Sequence, residues 1–285
     1  FQRLNFEIKP PQLVSYSINP LVIKCWVTLW KGVDRVDFAS DIYWDNYNHR
    51  LKIVMPVNLE GRYLYEIPYG SIERKPYEPD YGWTGTSGDW PAINWAGVDG
   101  DKHSVALFNK GTPSYRMEKS ALNGENIFLS VLRSPSIPTY LHEADAYSMT
   151  DWDGMRDQGN HHFEYAVAAY ETPLLKSSVV QDGESYNCGL YCFSGKMVVP
   201  QIPSLISENV RISCIKHAEQ GPGIIMRLVE YRGFKAEATM YIPESFKAVY
   251  KVNFLERREE ILVRESGTVK LRLKAFEIAT IMLVA

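Results

Sequence analysis

The sequence predicts an all-β protein whose antiparallel sheets pack as sandwiches. Apolar side chains alternate with polar ones almost everywhere, which is typical of strands that bury one face. No long segment shows the 3.6-residue period of an amphipathic helix. Glycine, proline, asparagine and aspartate interrupt the alternating segments at short intervals, as the turns of antiparallel sheets require.

The predicted strands of the first part of the chain are justified by their alternation. In the segment 35–44, Phe38 and Ile42 fall on one face while Asp37 and Asp41 fall on the other, so one face is expected to be buried. The segment 21–30 is more uniformly apolar. The predicted strands in this part are 21–30, 35–44, 50–57, 62–67, 103–109, 127–133 and 161–170.

Beyond residue 204 the strands become shorter and more closely spaced. Turn signals such as Gly221-Pro-Gly and Ser266-Gly separate them. The segment 171–200 resembles a crossing connection, so we expect a large sandwich domain over 1–204 and a small one over 205–285. The predicted strands of the small domain are 209–216, 223–231, 235–242, 247–254, 260–265 and 268–284.

Composition excludes several classes of function. The net charge of −3 gives no electrostatic reason to bind nucleic acid or an anionic membrane surface. No apolar run approaches the roughly 18 residues of a membrane span. We see no secretory signal and no Asn-x-Ser/Thr sequon, which favours a cytoplasmic location, either bacterial or cytosolic. The four cysteines are too few for a disulfide scaffold, and Cys188 and Cys192 lack partners for a metal site.

Two long polar loops are rich in aromatic residues and are candidates for function. They cover 75–92 and 134–160, and loops of this length inside a compact domain are usually functional. The alternative is that they are flexible surface excursions. Their tyrosines and tryptophans favour a binding role.

The second loop is flanked by the residues we single out for chemistry. A predicted strand ends at Arg133, and the chain returns at Asp157 and His161. Guanidinium and carboxylate groups hydrogen-bond sugar hydroxyls, and a bidentate pair between Arg133 and Asp157 would fix the loop. His161 would donate to a sugar hydroxyl or cap the loop. The alternative is a structural Arg133 that pairs with a core acid at the strand end.

No catalytic or metal-binding residue can be assigned within the chain. The adjacent His161 and His162 lie on a predicted strand and face opposite ways, so they do not suit one ion. No pair of carboxylates can be matched for glycoside hydrolysis, although Glu66 and Glu73 flank a turn that would form a cleft lip. Motifs for a serine nucleophile or for nucleotide binding are absent.

Nearly the whole chain resembles the C-terminal region of the glycoside hydrolase family 38 α-mannosidases. The segment Tyr65–Arg74 (YEIPYGSIER) is the strongest of several blocks that occur in the family's order. Two stretches depart from the family pattern, namely 109–115 and the longer insert 79–90. The remaining blocks are 30–38, 49–57, 94–95, 105–111, 132–135, 157–163 and 273–280.

The resemblance implies a large galactose-mutarotase-like supersandwich followed by a smaller β-sandwich. It also implies that the zinc ion and the aspartate nucleophile belong to an N-terminal catalytic domain that nothing here matches. That domain and a mannoside substrate are the implied partners, and a homo-oligomer is left open. In the family this half lends an arginine to the sugar cleft, a role we assign to Arg133. Further candidates for the cleft or the domain interface are Asp157, His161, Glu73, Trp95 and Asn109.

Two other functions are compatible with the same residues. The chain could be a free-standing carbohydrate-binding module, or a mutarotase-like epimerase that uses a carboxylate base and a histidine acid. The reading frame upstream of this segment would discriminate between them, because only the mannosidase interpretation requires a catalytic barrel there.

Overall fold

The computed structural model describes residues 2–8, 21–46, 49–76, 88–121, 124–135, 156–196 and 202–285. The chain folds into two compact units. The first contains Phe1–Glu66 and Ile72–Gly189, and the second contains Ile67–Ser71 and Leu190–Ala285. The boundary between the two domains, expected from the sequence at residue 204, stays a prediction.

The described residues confirm the all-β sandwich architecture. An eight-stranded sheet has the order β1-β2-β3-β12-β9-β8-β5-β6, and a four-stranded sheet has the order β4-β11-β10-β7. Their strands are β1 Gln2–Ile8, β2 Val22–Leu29, β3 Val36–Trp44, β4 Arg50–Val57, β5 Arg62–Ile67, β6 Gly70–Glu73, β7 Trp90–Pro91, β8 Trp95–Asp99, β9 Ser104–Asn109, β10 Ser114–Lys119, β11 Glu125–Arg133 and β12 Gly159–Tyr170.

The two sheets of the first unit share an aromatic core. Tyr65, Tyr115 and Ile127 are almost completely buried between them. Phe38 of β3 stacks on Tyr165 of β12 with ring centroids 4.9 Å apart. Because large apolar side chains from both sheets interdigitate here, this core fixes the positions of the strand ends that form the candidate site.

A short helical segment covers part of the eight-stranded sheet. The predicted crossing connection begins with a 3₁₀ turn, Leu174–Lys176, and a helix α1, Val179–Asn187. Leu174, Val179 and Val180 are buried. At Gly183 a Cβ atom would meet Trp95 Cδ1 at 3.2 Å, so the helix approaches the sheet closely at this glycine.

The second unit is a smaller sandwich. Its three-stranded sheet has the order β13-β16-β19 and its five-stranded sheet the order β14-β15-β20-β17-β18. Met226, Leu228, Met240 and Ile281 are fully buried in the shared core. The strands are β13 Ser204–Ile206, β14 Val210–His217, β15 Ile224–Glu230, β16 Ala236–Tyr241, β17 Ala248–Val252, β18 Arg258–Ile261, β19 Thr268–Leu273 and β20 Ile278–Val284.

The single strand predicted over 268–284 is wrong, because a turn divides it into β19 and β20. Phe276 adopts a left-handed backbone conformation with φ 57°. Its amide donates to the carboxylate of Glu230 at 2.8 Å, and the same carboxylate accepts from the Gly233 amide. The buried Glu230 carboxylate therefore stabilises a turn that the alternation of apolar residues does not predict.

Candidate functional site

Arg133 reaches solvent because of a β-bulge. Strand β11 pairs with β4 so that Ser130 lies opposite Lys52, but Leu132 lies opposite Leu51 and Arg133 opposite Arg50. The extra residue, Val131, shifts the alternation by one position. Leu132 is consequently buried and Arg133 is exposed. The bulge thus redirects the last side chain of the strand outward.

Asp89 organises the surface next to Arg133. Its carboxylate lies 2.5 Å from Lys52 Nζ and 3.7 Å from Arg50 Nη1, and it accepts a 2.5 Å hydrogen bond from Ser130 Oγ. Burial alone would raise the pKa of Asp89, but the hydrogen bonds from Lys52 and Ser130 outweigh it and lower the pKa below its ordinary value. Asp89 is therefore a fixed negative charge that holds two strand β4 cations.

The two arginines at this point lie directly opposite each other. Arg50 and Arg133 form a cross-strand pair, and like charges in such a position are normally destabilising. Asp89 offsets part of this repulsion through Arg50. Among the described residues, Asp89 forms an ion pair with Arg50 and none is found with Arg133, which suits a residue that engages a ligand or a partner.

These groups line an open cavity of about 450 Å³, which we call the arginine pocket. Both Arg133 and Asp157 line it, so the structure brings the two predicted residues together. They do not form the predicted bidentate ion pair in the described part of the chain. The lining residues are Arg50, Asp89, Ser114, Ser130, Val131, Leu132, Arg133 and Asp157.

His161 secures the chain beside Asp157. Its Nε2 lies 2.6 Å from the carbonyl oxygen of Asp157, a contact that requires the proton on Nε2. The ring stacks on Phe163 with centroids 5.9 Å apart, and Asp157 has a left-handed backbone with φ 49°. His161 does not line the arginine pocket, so its contacts fit the loop-capping role rather than a direct contact with a sugar in that pocket.

Glu73 lies away from the pocket. It sits at the end of β6 and forms an ion pair with Arg62 at 3.4 Å, in which both side chains are more than half exposed. Surface ion pairs of this kind contribute little to stability. Glu73 is accessible to a partner, but it is not among the residues that line the arginine pocket.

Trp95 and Asn109 are core residues, and we exclude them from the site. Trp95 has no exposed surface and Asn109 only 1%. The Asn109 amide donates to Ile93 O and to Tyr115 Oη, each at 2.9 Å, and its oxygen accepts from the Thr112 amide. A side chain enclosed in this way cannot meet a ligand or another domain without unfolding the region.

Sequence reasoning missed Arg50, Lys52 and Asp89. The signal for the first two was present, because they are basic residues two positions apart at the start of a strand and therefore share its outer face. Asp89 gave no comparable signal, since its partners come from strands distant in sequence. Most of the two aromatic loops, 77–87 and 136–155, lies outside the described residues.

The described residues contain no group of three or more His, Cys, Asp or Glu side chains placed to hold a metal ion. In the same residues, no helix has the length and apolar character needed to cross a membrane.

Comparison with protein-family models shows which family this chain resembles. The model of the "Glycosyl hydrolases family 38 C-terminal domain" matches residues 6–141, and that of the "family 38 C-terminal beta sandwich domain" matches residues 209–281. The chain is a C-terminal region of glycosyl hydrolase family 38. This confirms the resemblance found in the sequence.

Relatives of this family 38 region are much longer proteins. An "Alpha-mannosidase" of Saccharomyces cerevisiae is 24% identical over 282 residues, which cover 88% of this chain and 24% of that protein. The chain thus spans about a quarter of the curated relative it matches.

Solved structures from Enterococcus faecalis share the fold. An α-mannosidase of strain V583 superposes with a TM-score of 0.70 at 16% identity, covering 99% of this chain and 33% of its own. A further family 38 protein gives a TM-score of 0.66 at 18% identity, covering 94% and 30% respectively. At these identities the likeness concerns the fold alone.

Proposed function

We propose that this family 38 region is the non-catalytic C-terminal part of a retaining, zinc-dependent α-mannosidase that hydrolyses terminal α-mannosides. In this proposal it supports the catalytic barrel and contributes the arginine pocket to the sugar cleft. The observation that carries the proposal is the pocket itself, in which a bulged strand turns Arg133 outward beside a fixed carboxylate.

The pocket chemistry suits hydroxyl groups. A guanidinium presents several N–H donors in one plane, which match the oxygens of neighbouring sugar hydroxyls. The carboxylate of Asp157 lines the same cavity and can accept hydrogen bonds from hydroxyls. Arg133 and Asp157 are therefore complementary to a group that both accepts and donates, as a sugar does.

The carboxylates of the pocket do not suit hydrolysis. A retaining glycosidase needs a nucleophile and a general acid about 5 Å apart, and the acid must carry a proton near neutral pH. Asp89 is already engaged by Lys52, Arg50 and two serine hydroxyls, and its pKa is lowered rather than raised. This supports a binding role for the pocket instead of a catalytic one.

The partners follow from the same proposal. The catalytic groups, including zinc and the aspartate nucleophile, would belong to an N-terminal domain of the same polypeptide. Exposed groups such as Arg133 and Glu73 are available to contact that domain or its substrate. A cytoplasmic location and a homo-oligomeric state stay predictions.

Activity measurements on two proteins test whether the catalytic groups belong to a domain outside this chain. The purified 285-residue chain should show no turnover of an aryl α-mannoside, whereas the full-length polypeptide should turn it over in a reaction that a chelator abolishes and zinc restores. Zinc-dependent turnover by the purified chain, after removal of contaminating mannosidase, would overturn the proposal. So would a full-length polypeptide that binds no mannoside.

A further inference from the structure

A second surface of the first unit combines exposed apolar and exposed polar side chains. Three neighbouring strands contribute two rows of exposed side chains to it. Val22, Tyr43 and Asn160 pair across the strands in one row, and Lys24, Asp41 and His162 pair in the next. We call these six residues the tyrosine face. Together with Ile42 and His161, they line a cavity of about 470 Å³ that shares no lining residue with the arginine pocket.

The apolar part of this face is an exposed aromatic ring. Tyr43 is 55% exposed and its neighbour Val22 is 37% exposed. Trp26, half-buried, lies on the same side of β2, four residues beyond Val22. At about 3.3 Å per residue, the Trp26 and Tyr43 rows are about 13 Å apart, with the polar row between them. An extended ligand could therefore contact rings at both ends.

The polar part is a pre-positioned hydrogen-bonding group. His162 Nδ1 lies 2.6 Å from Asp41 Oδ1, so the imidazole donates to one carboxylate oxygen and fixes its orientation. No protein donor to the second oxygen, Oδ2, is found among the described residues. That oxygen, the Asn160 amide and the Lys24 ammonium provide acceptors and donors close to the aromatic ring.

We propose that the tyrosine face is a second carbohydrate-binding site, which takes a neutral pyranose of an oligosaccharide. The Tyr43 ring would cover the apolar C–H face of the sugar, and Asp41 with Asn160 would bind two neighbouring hydroxyls. This site is independent of the arginine pocket and needs no catalytic residue.

Charge and shape favour a neutral sugar over other occupants. Lys24 and Asp41 carry opposite charges side by side, so the face attracts neither a phosphate nor a strongly basic peptide. A purely hydrophobic partner would bury Asp41, His162 and Lys24 without replacing the hydrogen bonds they make to water. A pyranose matches both parts, because it combines an apolar face with a rim of hydroxyls.

Site-specific fluorine NMR on the full-length enzyme tests the proposal. Fluorotyrosine is incorporated at position 43, and the protein is titrated with thio-linked mannobiose and thio-linked cellobiose, which glycosidases do not cleave. We expect a saturable shift of the fluorine signal with at least one disaccharide. Asp41→Asn should weaken that binding by about tenfold, since a charge-assisted hydrogen bond is lost. The matched change Asp101→Asn, at an exposed loop position, should leave it unchanged.

Two results would overturn the proposal. One is a fluorine signal that neither disaccharide shifts. The other is a signal that a soluble paramagnetic agent fails to broaden in the sugar-free enzyme, because the face would then be covered by another part of the polypeptide. Neither readout depends on hydrolysis, so failure here is distinct from failure of the mannosidase proposal, which the turnover measurement decides.

Discussion

The arginine pocket and the core around Trp95 and Asn109 both contain residues from segments that resemble the family, but these residues differ in what they contact. In the pocket, Arg133 is exposed and Asp157 lines open space. In the core, the buried Asn109 side chain is enclosed by its hydrogen bonds with Ile93 O, Tyr115 Oη and the Thr112 amide. The comparison teaches that a polar or aromatic residue in a family motif is available for binding only where its own partners leave it free.

The two regions should therefore respond to mutation in opposite ways. Changes in the core should lower the free energy of unfolding, and changes in the pocket should alter binding.

Replacing Trp95 with Ala should destabilise the first unit by about 3–5 kcal/mol, because a fully buried ring is removed and a cavity remains. Urea denaturation followed by circular dichroism measures the change. The control is Trp30→Ala, since Trp30 is 48% exposed and should cost about 1 kcal/mol. Equal losses for the two variants would contradict the assignment of Trp95 to the core.

Asn109→Ala should cost about 2–3 kcal/mol, because the Ile93 carbonyl and the Thr112 amide lose this partner and the Tyr115 hydroxyl keeps only its bond to Leu107 O. The same denaturation experiment measures it. Asn160→Ala, at an exposed position, is the matched control and should stay within about 0.5 kcal/mol of the native chain. A loss of sugar binding by Asn109→Ala at unchanged stability would instead show that Asn109 contributes to the sugar cleft.

Asp89→Asn should destabilise the chain by about 1–3 kcal/mol at neutral pH, because Lys52 and Arg50 lose their counter-charge. The folded-state pKa of Asp89 is lowered from 3.8, so its contribution is complete above that value and disappears as the pH falls through the folded pKa. The stability difference between the two proteins should thus shrink below about pH 4. A difference that is constant from pH 7 to about pH 2 would show that charge is not the cause.

Much of the fold could be predicted from the sequence, because apolar alternation reports directly which strand faces are buried. The turn at Phe276 could not, since it depends on the distant Glu230 carboxylate. For the site, the sequence suggested that Arg133 and Asp157 lie close together, because the chain leaves one strand at Arg133 and returns at Asp157. It did not show that these strands, β11 and β12, belong to different sheets. The sequence could not reveal the Val131 bulge or Asp89, because each is defined by pairing between remote segments.

The most direct test of the account is Arg133→Ala in the full-length enzyme, with Arg116→Ala on the same sheet as the control. We expect Arg133→Ala to leave the free energy of unfolding within about 0.5 kcal/mol of the native value, because removing it also relieves repulsion with Arg50. Its kcat/KM toward mannosides should fall by about tenfold or more, equivalent to about 1.4 kcal/mol, whereas Arg116→Ala should leave kcat/KM unchanged. The opposite result, a marked loss of stability with normal turnover by the remaining folded enzyme, would show that Arg133 is structural and contradict the account.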